Sequence, residues 1–296
     1  MSRLSRFDIL KLIKPKIIKY LESLNKEILS SVEILNLLNY CKEELMLPKR
    51  TSIDELIDFL LDVKIIKIQK LFLDGKTIKK YIYKENITLY DLALSINKKA
   101  YLSHYSAMYI NNLTYNVPKV IYINIEQSKK NISNPKLTQE MINQSFEKPF
   151  RVTNKVYNIE NTFNNIYSLN GKFTDRLGVK KIEFEDSLIE VTNLERTLID
   201  IVVRPQYSGD IFEVLNAYKM AKGKLSTNRL KSMLKKLEYI YPYHQAIGLY
   251  MEKAGYEDKQ LNLLKSIPIK YDFFLANEMK NPNYSSEWRI YYPSDL

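Results

Sequence analysis

The sequence predicts an α+β chain in two parts, residues 1–86 and 87–296. Three observations predict it. Three apolar-periodic segments near the N-terminus give way to a lysine-rich stretch that alternates in twos. Residues 101–123, YLSHYSAMYINNLTYNVPKVIYI, stop a helix and enter a strand. From residue 192 the chain turns from strand-like to helix-like. With 296 residues it is long enough for two domains of ordinary size.

In the first part, Lys14–Pro15 opens a helix, where the missing N–H of proline costs nothing. Ile17, Tyr20, Leu21 and Leu24 share its apolar face, and Phe7, Leu10 and Ile13 form a leading turn. Residues 30–33, SSVE, fit a capping box of Ser30 and Glu33. The helix that follows is expected to bury Val32, Leu35, Leu38 and Cys41. SIDE at 52–55 repeats the signature before Ile53, Leu56, Ile57, Leu60 and Leu61. Residues 65–84 then alternate in twos around Asp74–Gly75, a strong hairpin signal.

Three helices followed by a hairpin is the order of a winged helix-turn-helix domain. In such domains the N-terminal end of the third helix faces the bases. Lys49, Arg50, Thr51 and Ser52 are therefore the expected base-side contacts. Residues 64–84 hold seven Lys and one Asp. Lys70, Lys76, Lys79 and Lys80 are the expected phosphate contacts, which give affinity rather than sequence choice.

The second part is expected to be a mixed α+β domain with a helical subdomain. A short helix at 87–97 leads into 101–123. There Ser103 is expected to cap a helix, Asn111–Asn112 to end it, and Val120 to Ile123 to form a strand. Residues 127–136 read as a surface loop and 137–147 as a short helix. RVTNKVYNIE, NNIYSLNG and VKKIEFEDSLIEVT read as strands. TNLE at 192–195 reads as a further capping box. Helices follow to about residue 265, and strand-like aromatic pieces lie near 269–275 and 288–292.

The net charge of +11 suggests an anionic partner. Residues 1–86 hold 17 basic and 12 acidic residues, against 28 and 22 in the longer remainder, so the first part is the more basic per residue. The single Cys41 excludes an internal disulfide, and two histidines exclude most metal clusters. No apolar run is long enough to span a membrane, and the basic, amphipathic N-terminus does not read as a signal peptide. The expected compartment is the cytoplasm.

No phosphate-binding glycine loop, metal motif or catalytic motif is present. No catalytic residue, metal or cofactor is expected. His104 and His244 read as packed histidines, and Arg196 and Asp200 as an ion pair on one helix face. Lys180–Lys181 with Glu183 and Glu185, alternating along a strand, fit a diverged metal-dependent nuclease weakly. That nuclease, targeted by a winged helix, is the alternative function.

Three segments carry a family resemblance: 101–123; VTNLERTLIDIVVRPQYSGDIFEVLNAY at 191–218, with its E-R-T-L-x-D core; and KYDFFLANEMKNPNYSSEWRIYYP at 270–293. In these the chain resembles the AbiEi antitoxins, transcriptional regulators of the AbiE abortive-infection (type IV toxin–antitoxin) systems of bacteria. The resemblance implies an N-terminal domain that binds inverted repeats in double-stranded DNA of its own promoter and represses the operon. It implies a C-terminal antitoxin domain that counters an AbiEii-type nucleotidyltransferase toxin in phage defence, without a stable complex. It carries no catalytic residues over.

Overall fold

The computed structural model describes residues 5–83, 86–129 and 136–296. Lys84 of the lysine-rich stretch and much of the 127–136 loop, Lys130 included, lie outside them. The class is α+β. The chain runs α1 (Arg6–Ser23), β1 (Ile28–Leu29), α2 (Ser31–Glu44), α3 (Ile53–Asp62), β2 (Lys67–Leu73), β3 (Lys76–Ile82) and α4 (Leu89–Leu94). Then come β4 (Tyr101–Leu102), α5 (His104–Ile110), β5 (Val120–Glu126), α6 (Gln139–Phe146), β6 (Val156–Ile159), β7 (Asn165–Gly171), β8 (Val179–Phe184) and β9 (Ser187–Thr192). The rest is α7 (Leu194–Val203), a 3-10 turn (Pro205–Tyr207), α8 (Ile211–Ala221), α9 (Thr227–Leu237), α10 (Tyr243–Lys253), α11 (Asp258–Lys265), β10 (Phe273–Phe274), β11 (Asn283–Ser285) and β12 (Ile290–Tyr292).

The chain forms two compact units. The first takes residues 1–98 together with 157–165, and the second takes 99–156 and 166–296.

In the first unit α1 begins earlier than Pro15 suggests. Ser5 and Asp8 make a reciprocal capping box, and Pro15 sits inside the helix on its exposed side. A proline there removes one backbone bond, but Leu10, Ile17 and Leu21 hold the helix on the core. In α2 the buried side is Ile34, Leu37, Leu38 and Cys41, whereas Val32 and Leu35 face outward. Both faces of this helix are apolar, so periodicity alone could not choose between them. The two-residue β1 pairs antiparallel with β3, through Ile28 to Ile82 and Leu29 to Tyr81. The hairpin β2–β3 turns at Asp74–Gly75, both with positive φ, as such two-residue turns require. On the other side of β2, Leu71 and Phe72 pair with Ile159 and Asn158 of β6.

In the second unit the strands lie in the order β7-β5-β4-β9-β8. The sheet is mixed: β4 pairs antiparallel with β5 and parallel with β9. α7 packs on α5, α8, α9 and α10, and α10 packs also on β10 and β12; both helices are buried on almost every side, as befits central helices. Trp288 is fully buried and lies flat on the helix at Gly248, where a Cβ would come within 2.2 Å of the indole. A small sheet, β10-β12-β11, closes the unit.

Candidate nucleic-acid interface

The expected DNA contacts fall in the first unit, and the structure treats them differently. Lys49 and Arg50 are exposed in the turn between α2 and α3, with no ion pair among the described residues. Ser52 caps α3: its hydroxyl accepts from the Glu55 N–H at 3.1 Å, and its own N–H donates to the Glu55 carboxylate at 2.8 Å. Arg6 reaches the same carboxylate at 2.8 Å. The Ser52 backbone bond, with Arg6 and Arg50 nearby, holds the Glu55 carboxyl below its ordinary range. Thr51 is 1% exposed and its hydroxyl has no partner among the described residues. It faces the core, not a groove, so the expected base-side contacts reduce to Lys49, Arg50 and the exposed cap Ser52.

On β3 the period of two puts Lys79 on one face, opposite Lys70 of β2, and Lys76 and Lys80 on the other, Lys76 at the open turn end. Lys76 and Lys79 are exposed and unpaired among the described residues. Lys80 is 6% exposed, and its ammonium donates to the Ser95 carbonyl at 2.5 Å. Its face of β3 is covered by the end of α4, and this burial lowers its pKa. Lys80 is therefore a tether for α4 and does not reach a phosphate. Lys70 is half-buried and paired with Glu160 at 2.9 Å, so its charge is already compensated.

α3 also carries an acidic line whose spacing is visible in the sequence. Asp54, Asp58 and Asp62 are all exposed, and a spacing of four puts them in one line along the helix. The outward side of α3 is thus acidic, while cations gather at its N-terminal end and on the hairpin.

The second unit holds a buried polar network that the sequence did not announce. Asn193, not Thr192, caps α7, accepting from the Arg196 N–H at 2.9 Å. The Arg196 and Asp200 pair forms at 2.7 Å, as expected on one helix face, and both side chains are buried. Arg196 also donates to the Leu177 carbonyl at 2.7 Å and the Thr174 hydroxyl at 3.2 Å. Burial raises the Asp200 carboxyl above its ordinary value, against the pull of the Arg196 and Arg204 guanidiniums.

Beside this pair is a cavity of about 60 Å³, bordered by His104, Asn124, Lys172, Arg204 and Tyr239. Ser103 does not cap α5 with its side chain; its hydroxyl meets His104 Nδ1 at 2.9 Å. His104 takes a left-handed φ of 50°. Gly171 is required in the wall, because a Cβ would stand 2.3 Å from the Asn124 amide.

The carboxylates of the nuclease alternative do not alternate along one strand. Glu183 is on β8, but Glu185 and Asp186 form the turn to β9, both with positive φ. Among the described residues no three His, Cys, Asp or Glu side chains are grouped as a metal ion would need. No described helix is long and apolar enough to cross a membrane.

No protein-family model and no curated protein matches the sequence. The chain is similar to a solved structure, the crystal structure of the RV2827C protein from Mycobacterium tuberculosis. The TM-score is 0.58 at 11% identity, covering 99% of this chain and 93% of that one. At that identity the similarity shows the fold alone.

Proposed function

We propose that the first unit is a winged helix-turn-helix that binds duplex DNA, and that the chain is an autorepressor and antitoxin of an AbiE-type system. The observation that carries the DNA reading is the element order α1-β1-α2-α3-β2-β3, with β1 paired to β3, and unpaired cations at the tip of α3 and on the hairpin. Arg50 and Lys49 then stand at the base edges, and Lys76 and Lys79 at phosphates. Because the side of α3 is acidic, the helix enters the groove by its N-terminal end. The antitoxin reading rests on the resemblance of 101–123, 191–218 and 270–293. The partners are inverted repeats in the chain's own promoter and, without a stable complex, a nucleotidyltransferase toxin.

Fluorescence anisotropy on the promoter repeat, set against a scrambled duplex, tests the DNA reading. Arg50→Ala is expected to weaken specific binding roughly 10- to 100-fold and non-specific binding much less. Lys76→Ala with Lys79→Ala is expected to flatten the log K against log salt slope by up to about two units. Lys80→Ala is expected to leave that slope alone. Asp58→Asn with Asp62→Asn is expected to tighten binding to any duplex, because the repulsion falls. Duplex affinity that none of these changes moves would overturn DNA binding by the first unit. Failure of the full chain to relieve growth arrest by a co-expressed AbiEii-type nucleotidyltransferase would remove the antitoxin role.

A further inference from the structure

The second unit carries a groove of about 930 Å³, at the upper end of the range for small-molecule sites. Three charged residues line it, Lys148, Arg151 and Arg204, and all three are basic. Lys148 and Arg151 are exposed, and their side chains have no ion pair among the described residues. Arg204 donates to the Asn170 carbonyl at 3.1 Å, which fixes it at the wall.

The floor is aromatic. Phe146 stacks on Phe274 with ring centres 5.6 Å apart and meets Phe273 and Tyr241 edge-on. Phe146, Tyr241 and Phe274 remain partly exposed at the groove. Phe150 stands on the same wall, half-buried, with no ring partner among the described residues. The cations come from separate points of the lining, two from the segment after α6 and one from the end of α7. A single phosphate needs one such point; a strand with repeating phosphates uses all of them.

We propose that this groove binds single-stranded nucleic acid, with unpaired bases stacked on the aromatic floor and phosphates held by Lys148, Arg151 and Arg204. Cations along a groove interleaved with exposed aromatic rings are the chemistry that such a strand recognises. A duplex hides its base faces in its own stack and presents only phosphates, so the aromatic floor is lost on it. An acidic peptide would satisfy the cations and leave the rings without planar partners. The site is independent of the duplex contacts on the first unit.

The test uses the full chain and fluorescein-labelled oligo-dT and oligo-U strands of about 12 nucleotides, within the span of known single-strand sites. Binding is expected to weaken with salt. Lys148→Ala with Arg151→Ala, both exposed, is expected to lower affinity at least tenfold and to flatten the salt slope by up to about 1.4 units. Phe150→Ala is expected to lower affinity roughly tenfold at an unchanged slope, which separates stacking from charge. Lys76→Ala with Lys79→Ala is expected to leave strand binding intact while weakening duplex binding, so the two readings fail separately. The DNA and RNA arms identify which strand is preferred. Strand affinity unmoved by the groove variants overturns the proposal. So does competition by a matched duplex, a free mononucleotide or polyglutamate as strong as that by the strand.

Discussion

Arg196→Met is expected to destabilise the second unit by about 3–5 kcal/mol, the usual cost of removing one partner from a buried ion pair. The change leaves the Asp200 carboxyl, 6% exposed, without its 2.7 Å partner, and strips the Leu177 carbonyl of its donor. Asp200 is already disfavoured as an anion by its burial, with Arg196 as the main opposing charge. Arg196→Met with Asp200→Leu is expected to recover most of the loss, because two apolar side chains ask nothing of the site. The sole tryptophan, Trp288, is fully buried in the same unit, so its fluorescence in urea reports this unfolding directly. A single-variant cost below about 1 kcal/mol, the range of an exposed pair, would mean that the pair is solvated.

Acid is expected to destabilise the same unit before ordinary carboxylates titrate. Burial pushes His244 down to about 4, against the opposing effect of a bond to the Pro268 backbone. Burial, with the charges of Arg204 and Arg196, holds His104 well below its ordinary value. Both imidazoles are lowered in the folded chain, so below pH about 6.5 the unfolded chain binds protons that the folded chain refuses. Their contribution is fully present above that pH and is lost as pH falls toward the folded values. Each histidine costs up to about 1.4 kcal/mol per pH unit in that window. Between pH 6.5 and 4.5 His244 alone accounts for about 2–3 kcal/mol. Urea midpoints followed by Trp288 at stepped pH measure it, and His244→Gln is expected to remove about half of the slope. A midpoint that does not move between pH 7 and 5 would mean that both rings titrate freely.

Some of the interface was legible in the residues themselves. SSVE, SIDE and Asp74–Gly75 act locally: a cap or a two-residue turn is satisfied by its own neighbours, and those elements stand where the sequence set them. The acidic line Asp54, Asp58, Asp62 is equally local, set by a spacing of four on one helix. Lys80 and Thr51 were not legible. Their chemistry is that of Lys79 and Ser52, and only the covering of one strand face by α4 and the packing of the turn made them buried.

The same division holds for the whole chain. The sequence by itself determined the caps at Ser30 and Ser52, the hairpin turn and the left-handed stop at Asn112, because each depends on residues within a few positions. Tertiary structure decided which apolar side of α2 faces inward, that NLERTLID lies buried rather than solvated, and that Arg196 and Asp200 join Tyr101, Thr174 and Leu177 from distant strands and loops. It also decided that Lys148, Arg151 and Arg204, up to 56 positions apart in the chain, line one groove over Phe146 and Phe274. Burial and charge convergence are sums over residues that touch only after folding, and no local pattern in the chain encodes them.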